Sequence, residues 1–124
     1  MAAPRSTRAV VLVIEDDAIV ALELAAIVRS LGCELLGPAS SGAEAVRLAQ
    51  ARAPDVIVSD VTLTDGRTGI AAVRAIRRFA QAGVVFVTGD PAKLHGEADA
   101  LAATVIAKPA DHRAVALAIR ERLR

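Results

Sequence analysis

Aromatic residues, cysteines and long apolar runs are scarce in this 124-residue chain. Two Phe and no Tyr or Trp leave almost no surface for stacking the bases of a nucleic acid. The single cysteine, Cys33, cannot form an internal disulfide, so we expect a buried thiol in a protein of the reducing cytoplasm. No apolar stretch approaches the roughly 20 residues of a membrane span.

The chain also lacks an excess of charge of either sign. Its 15 basic residues nearly balance its 14 acidic ones, which leaves a formal charge of +1. Such a balance gives no general field for nucleic acid or for an anionic membrane, so we expect direct contact with neither. Residues 1–8 are polar and lack the apolar segment of a secretory signal. We expect residues 1–8 to form a flexible N-terminal tail and residues 9–124 to form one folded domain.

Short apolar runs alternate along the chain with stretches of helical period. The predicted strands are Ala9–Ile14, Glu34–Gly37, Asp55–Ser59, Val84–Val87 and Thr104–Ala107. The predicted helices are Ala18–Leu31, a helix capped by Ser41 that ends near Arg52, Ile70–Ala80, a weak helix around Leu94–Leu101 that Gly96 interrupts, and a last helix capped by Asp111. Between the third strand and its helix, Thr64–Gly69 is predicted to be a loop.

The order of these elements is βαβαβαβαβα. Strands without polar alternation are typical of a parallel sheet that is covered by helices on both faces. We therefore predict an α/β protein with a flavodoxin-like (βα)5 fold, a three-layer sandwich around a five-stranded parallel sheet in the order 2-1-3-4-5. In that order the chain reverses direction across the sheet between the first and third strands, where ligands commonly bind.

Polar residues stand at the ends of four predicted strands: Glu15, Asp16 and Asp17 after the first, Asp60 after the third, Thr88 at the end of the fourth, and Lys108 after the fifth. In a parallel sheet these side chains would meet in one crevice. Packed carboxylates repel one another, and Mg²⁺ relieves that repulsion while keeping positions for phosphate oxygens. Asp60 is then a candidate nucleophile, which Lys108 and Thr88 would assist by binding the transferred phosphoryl group. Gly89 would leave room for that group to enter.

In this pattern the sequence resembles the receiver domains of two-component response regulators, of the single-domain, chemotaxis-regulator-like type. The resemblance extends from about Ala9 to the C-terminus and is carried by Val-Ile-Glu-Asp-Asp, Val-Ser-Asp, Phe-Val-Thr-Gly and Ala-Lys-Pro at the strand ends. It implies that Glu15, Asp16, Asp60 and the backbone carbonyl of Thr62 hold Mg²⁺.

The resemblance further implies that Asp60 accepts a phosphoryl group from a histidine kinase or phosphotransfer protein. Thr88 and Lys108 would sense that group, and the output would be altered binding of a downstream protein. Asp17 would only cap the first helix. By the same resemblance the chain is not an enzyme, beyond catalysing its own phosphorylation and dephosphorylation.

Three positions depart from the pattern of that family, and one of them is Thr64, where the family often has a proline. Val105 stands where the family generally has an aromatic residue that turns inward on activation. The stretch Phe86–Gly89 is similar to the Phe-Ala-Thr-Gly-Tyr stretch of a subset of mostly single-domain receivers, but Asp90 replaces the tyrosine. Movement of Thr88–Leu94 or of the helix at Gly96 is therefore expected to replace aromatic switching. Thr62 and Asp90 flank the expected path of attacking water and would set the lifetime of the phosphoryl group.

Three other functions fit parts of the pattern. A pseudo-receiver would keep the fold as an interaction scaffold without phosphorylation, and the missing aromatic at Val105 is compatible with it. A phosphatase that works through an aspartyl phosphate would have an acid two residues after Asp60, where this chain has Thr62. A flavin or nucleotide binder needs a phosphate-binding loop after the first strand, where Glu15 and Asp16 would repel phosphate.

Overall fold

A computed structural model describes residues 8–63, 69–94 and 96–124. Most of the predicted tail (residues 1–7) and most of the predicted loop (residues 64–68) lie outside the described residues, as does His95.

Five strands and five helices make up the described chain. The strands are β1 (Val10–Ile14), β2 (Glu34–Ala39), β3 (Val56–Ser59), β4 (Gly83–Thr88) and β5 (Thr104–Ala107). The helices are α1 (Ala18–Ser30), α2 (Gly42–Ala51), α3 (Gly69–Arg77), α4 (Glu97–Ala100) and α5 (His112–Arg122), with a 3₁₀ turn at Pro91–Leu94.

The strands form one parallel sheet in the order β2-β1-β3-β4-β5, which confirms the predicted topology. The register sets Ile14 beside Ser59, Ser59 beside Phe86, and Thr88 beside Ala107. Because the last residues of β1 and β3 are partners, the residues that follow these two strands emerge at the same edge of the sheet. We call this the carboxyl edge, and the opposite one the amino edge.

Successive side chains of the strands enter two separate hydrophobic clusters. Leu12 and Ile57 belong to a cluster beneath α2 and α3, whereas Val13 and Val58 belong to one beneath α1 and α5. Strands that are buried on both faces explain the near-continuous apolar runs in the sequence. The two clusters make the molecule the three-layer sandwich that the sequence predicted.

Helix caps follow the sequence closely. The Asp17 side chain accepts from the backbone N–H groups of Ile19 and Val20 at the start of α1. Ser41 and Asp111 cap α2 and α5 in the same way, as predicted. Among the described residues, no helix combines the length and the apolar character that crossing a bilayer requires.

Several boundaries differ from the prediction, most by one residue and those of β2 and α3 by more. Strand β2 continues beyond Gly37 to Ala39 although it contains Pro38, which is tolerated because β2 lies at an edge of the sheet. Gly69 belongs to α3, not to the preceding loop, and α3 ends at Arg77.

The fourth helix is only one turn long, and Gly96 precedes it with a φ of +81°. Its four helical residues, Glu97–Ala100, include no buried side chain, so little packing supports a longer helix. The predicted interruption of this helix at Gly96 is therefore confirmed. Before it, Pro91–Leu94 form a 3₁₀ turn and not the start of an α-helix.

Cys33 is buried, as predicted. Burial raises the pKa of its thiol, so the side chain packs as a small hydrophobe.

Candidate functional site

Backbone hydrogen bonds at the ends of the strands hold the residues of the carboxyl edge. The N–H of Glu15 donates to the carbonyl of Ala39 at 2.8 Å, and the N–H of Asp60 donates to the carbonyl of Ile14 at 3.0 Å. The register between β1 and β2 shifts after Leu12, which pairs Ile14 with Ala39. Glu15 and Asp60 are therefore fixed by the sheet itself and not by a loose loop.

Three carboxylates converge at this edge. Oxygens of Glu15, Asp16 and Asp60 all lie within 4.8 Å of one another. Asp60 Oδ1 accepts from the backbone N–H of Val61 at 2.7 Å, which orients its carboxylate. Asp17 is the helix cap described above, as the sequence predicted, and is not one of the three.

Lys108 joins two of these carboxylates. Its Nζ lies 2.6 Å from Glu15 Oε1 and 3.2 Å from Asp60 Oδ2. The backbone N–H of Lys108 donates to the carbonyl of Thr88 at 2.8 Å, so β4 and β5 fix the position from which its side chain reaches. Burial acts to lower the pKa of the Lys108 ammonium, but the two carboxylates outweigh it and raise that pKa. Lys108 therefore remains charged.

Glu15 is the most unusual group in the cluster. Its side chain has no exposed surface, and its Oε2 is buried without a hydrogen-bond partner among the described residues. Burial raises the pKa of Glu15 to about 7; the bond from Lys108 opposes this shift, and the charge of Asp60 adds to it. A buried acceptor without a partner is costly, so this oxygen is available for a ligand.

The donor set fits a magnesium ion. Mg²⁺ takes oxygen ligands, binds through a small number of carboxylates, and keeps several waters. Glu15, Asp16 and Asp60 supply closely spaced carboxylate oxygens, and no other described residue forms a hydrogen bond with Glu15 Oε2. A cation would also relieve the repulsion among the three acids. Thr62 stays a predicted ligand through its backbone carbonyl.

Thr88, Gly89 and Asp90 form a tight turn beside the cluster. Thr88 is buried, and its Oγ1 accepts from the backbone N–H of Asp90 at 3.1 Å. An added Cβ on Gly89 would meet no atom within 4 Å, so the space beside Thr88 is open, as the sequence suggested. Val105 is partly buried and packs against the cluster beneath α2 and α3.

Sequence reasoning missed two residues of this site. Gly69 lies so close to the backbone of Asp60 that an added Cβ would sit 1.7 Å from the Asp60 carbonyl oxygen. Lys93, in the 3₁₀ turn, donates from Nζ to Thr62 Oγ1 at 3.2 Å. Gly69 stands in a stretch that also contains Gly66, and the sequence gives no reason to distinguish them. Lys93 reads as an ordinary surface lysine.

An exposed apolar stripe on α1 borders the same edge. Ile19 and Leu22 are 71% and 70% exposed, and one helical turn brings them onto the same side of α1. Beside α1, a cavity of about 430 Å³ opens between α1 and α5. Its lining is mainly apolar, with polar groups at Glu23, Lys108 and His112; the apolar part includes Val20, Leu24, Ile27, Val87, Pro109 and Ala110.

Comparison with known proteins agrees with this geometry. A family profile described as the response regulator receiver domain matches residues 11–120. The phyllosphere-induced regulator PhyR of Methylorubrum extorquens is 37% identical over 101 residues, which is 80% of this chain and 38% of that protein. The transcriptional regulatory protein PdtaR of Mycobacterium tuberculosis is 38% identical over 78 residues, or 63% of this chain and 38% of that protein. The chain thus spans well under half of these relatives.

Solved structures share the fold over nearly the whole chain. The receiver domain of PhyR from Erythrobacter litoralis superimposes with a TM-score of 0.86 at 29% identity, over 94% of this chain and 90% of that one. The response regulator PhyR of Brucella abortus gives a TM-score of 0.81 at 29% identity, over 96% of this chain and 49% of that one.

Proposed function

The chain belongs to the response regulator receiver family, and from that premise we propose that it is a phosphorylation-dependent switch. Asp60 accepts a phosphoryl group from a histidine kinase or phosphotransfer protein in a Mg²⁺-dependent reaction in the cytoplasm. The phosphorylated chain then binds a downstream protein differently. No nucleic acid and no membrane take part.

The arrangement of Asp60 carries this proposal. Its carboxylate shares one cluster with Glu15 and Asp16, while Lys108 lies 3.2 Å from its Oδ2. Mg²⁺, when bound, supplies the positive charge that lets three acids and an incoming phosphoryl group share so small a space. The Lys108 ammonium stands where it can bind phosphoryl oxygens on a modified Asp60.

In the transfer step, Asp60 Oδ2 forms the new bond to phosphorus. The bond between phosphorus and the donor nitrogen breaks, and its electron pair stays on that nitrogen, which takes up a proton. Oδ1 remains held by the N–H of Val61 throughout. Attack through Oδ2 places the new phosphoryl group beside Lys108, which already contacts that oxygen.

The response begins at Thr88, where phosphate oxygens draw the hydroxyl toward Asp60. The Thr88 Oγ1 also accepts from the N–H of Asp90, so its movement alters the turn that leads to Lys93 and Leu94. Gly89 leaves space for this shift, and Val105 yields without an aromatic side chain to turn. Thr62 and Asp90 set the lifetime of the phosphoryl group by controlling access of water.

The phosphodonor protein docks on the exposed stripe of α1. A donor protein must bring its phosphohistidine to Asp60, and it therefore covers the surface around the crevice. Ile19 and Leu22 offer large apolar side chains there, and the adjoining cavity between α1 and α5 can accept an apolar side chain of the partner.

Intact-mass measurement tests phosphorylation directly. The protein is incubated with Mg²⁺ and either acetyl phosphate or phosphoramidate, and the expected product carries one phosphoryl group. Asp60→Asn abolishes the adduct, whereas Asp17→Asn keeps both the helix cap and the adduct. Absence of an adduct with both donors, or its persistence in Asp60→Asn, would reject the proposal and leave the pseudo-receiver scaffold as the better account.

Phosphotransfer profiling tests the docking surface. Each histidine kinase encoded in the same genome is autophosphorylated with labelled ATP and mixed with this protein. Ile19→Glu is expected to reduce transfer from the cognate kinase by about 5- to 150-fold, because a charge placed in an apolar contact costs about 1–3 kcal/mol. Phosphorylation by acetyl phosphate stays unchanged, and so does transfer to Phe79→Glu, which alters an exposed apolar residue at the amino edge. Full transfer to Ile19→Glu would exclude this surface.

A further inference from the structure

Lys93 brings a second ammonium group to the rim of the acidic crevice. It lies on the 3₁₀ turn Pro91–Leu94, and its Nζ donates to Thr62 Oγ1 at 3.2 Å. Thr62 is two residues beyond Asp60, so this contact links the connection after β4 to the connection after β3. The two connections flank the entrance to the phosphorylation site.

The position of Lys93 is set from both sides along the chain. On one side, its backbone N–H donates to the carbonyl of Asp90 at 3.1 Å, and the N–H of Asp90 donates to Thr88 Oγ1. On the other side, Leu94 is only 3% exposed and anchors the turn in the core. The backbone therefore holds Lys93 near Thr62, and this position does not depend on the single hydrogen bond between the two side chains.

Lys93 forms no ion pair within the part of the chain that the structure describes. Across residues 8–63, 69–94 and 96–124, no carboxylate lies within ion-pair distance of its ammonium, and its partner is the neutral hydroxyl of Thr62. Lys108 differs, because it is already shared by the carboxylates of Glu15 and Asp60. As far as the described residues go, the positive charge that Lys93 offers to an arriving anion is thus not paired with a carboxylate.

An incoming phosphodonor meets an acidic site. Glu15, Asp16 and Asp60 cluster within 4.8 Å, and Asp17 directly follows Asp16 in the sequence. These acids repel anions, and the repulsion grows with the charge on the donor. A cation at the rim reduces that repulsion most for donors with the most negative charge, and salt screens the effect.

We propose that Lys93 is a specificity-determining residue that favours doubly charged phosphodonors, such as acyl phosphates, over donors of lower net charge. This inference rests on the proposed function of Asp60 and deepens it by naming the class of small donor. Lys93 acts on the approach of the donor and takes no part in the bond changes at phosphorus.

The test compares two donors at two salt concentrations. Acetyl phosphate carries about two negative charges at neutral pH, whereas phosphoramidate carries a net charge of about one. Rate constants for phosphorylation are measured for the wild type, Lys93→Gln and Lys93→Arg, all with Mg²⁺. Arg78→Gln is the matched control, because it removes the same charge from an exposed position beyond the end of α3, at the amino edge.

At low salt, Lys93→Gln is expected to slow phosphorylation by acetyl phosphate roughly fivefold and by phosphoramidate only about twofold, because the energy scales with the charge on the donor. The difference disappears at about 0.5 M salt, where screening acts within a few ångströms. Lys93→Arg and Arg78→Gln behave like the wild type. Equal losses with both donors that persist in high salt would indicate a merely structural contact with Thr62 and overturn the proposal, as would unchanged rates.

A binding measurement separates this inference from the proposed function. Inorganic phosphate is titrated into the Mg²⁺-loaded protein while the amide signals of Val61 and Lys108 are followed by NMR. Lys93→Gln is expected to weaken phosphate binding about threefold at low salt, whether or not Asp60 is phosphorylated by any donor. Equal affinity in the two proteins would reject the role of Lys93. An absent phosphoryl adduct on the wild type would instead reject the function of Asp60.

Discussion

The amino edge of the sheet uses charged side chains to satisfy the backbone, whereas the carboxyl edge packs them against one another. At the amino edge, Asp55 Oδ2 accepts from the N–H of Val10 at 2.8 Å. Arg122 donates to Thr104 Oγ1 at 2.7 Å and to the carbonyl of Ala102 at 2.7 Å. These charged groups complete hydrogen bonds that the start of a strand would otherwise leave open.

At the carboxyl edge, the charges have fewer partners than they can use. Glu15 Oε2 is buried without a hydrogen bond among the described residues, and Lys108 divides one ammonium between two acids. The two edges contain similar residue types, so composition does not distinguish them. The comparison teaches that a candidate binding site is recognised by charged groups whose hydrogen-bonding capacity is not fully used, and not by the presence of charge alone.

The largest effect is expected where the backbone approaches Asp60 most closely. Gly69→Ala would place a Cβ 1.7 Å from the Asp60 carbonyl oxygen, so α3 or the end of β3 must move. We expect a loss of at least about 3 kcal/mol in the free energy of unfolding, measured with urea. Gly89→Ala is the control, because its Cβ meets nothing within 4 Å. Equal stability of the two variants would show that the approach at Gly69 is not tight.

The next effect is a dependence of stability on pH that arises at Glu15. Its pKa rises from 4.5 to about 7 on folding, so the folded protein holds a proton that the unfolded chain has released. Without divalent cation, the contribution of Glu15 to stability is therefore fully present below about pH 4.5, falls as the pH rises, and is lost above about pH 7. The full loss is about 3 kcal/mol, at about 1.4 kcal/mol per pH unit.

Urea unfolding across this pH range isolates the contribution of Glu15. Glu15→Gln cannot ionise, so the wild type is expected to lose stability relative to this variant as the pH rises. Glu121→Gln, at an exposed position on α5, should follow the wild type. Parallel curves for wild type and Glu15→Gln would mean that the buried acid does not titrate in this window.

A smaller effect is expected at the amino edge. Arg122→Ala removes hydrogen bonds to Thr104 and Ala102, and also the contacts of its aliphatic chain beside Gly83. We expect a loss of about 1–2 kcal/mol, with no change in phosphorylation by acetyl phosphate. Arg124→Ala, an exposed arginine beyond α5, should change neither property. A change in phosphorylation rate in Arg122→Ala would show that the two edges are coupled.

The smallest effect is expected for an exposed ion pair at the amino edge. Arg52 and Glu34 lie 2.5 Å apart, but their side chains are 47% and 35% exposed. Arg52→Ala should therefore cost only about 0.5 kcal/mol, and about 0.5 M salt should remove the difference. Thermal unfolding at low and high salt measures it. A loss above 2 kcal/mol would mean that the amino edge relies on this pair far more than its exposure indicates.

The sequence predicted the sheet order and four of the five helices well, because buried parallel strands and capped helices leave clear patterns. The caps at Asp17 and Asp111 are local features of this kind. It also predicted which acids meet, because strand order alone brings Glu15 and Asp60 to one edge.

Contacts between distant connections could not be predicted in this way. The bond from Lys93 to Thr62 depends on how a 3₁₀ turn crosses the end of β3, and no local pattern encodes it. That Glu15 Oε2 finds no hydrogen-bond partner among the described residues is likewise a property of packing, which appears only when the neighbouring side chains are in place. The predicted roles of the site residues, from Mg²⁺ binding to phosphate lifetime, stay predictions.

The single turn of α4 has a consequence for how the molecule opens. It buries none of its own side chains, and what ties it to α3 is an ion pair between Arg74 and Glu97 and a hydrogen bond from Arg77 to the carbonyl of Leu101. Amide protons of α4 should therefore exchange with solvent long before those of β1 or β3. The molecule can loosen this one corner while its remaining layers stay folded, which gives a binding partner a segment that adapts to it.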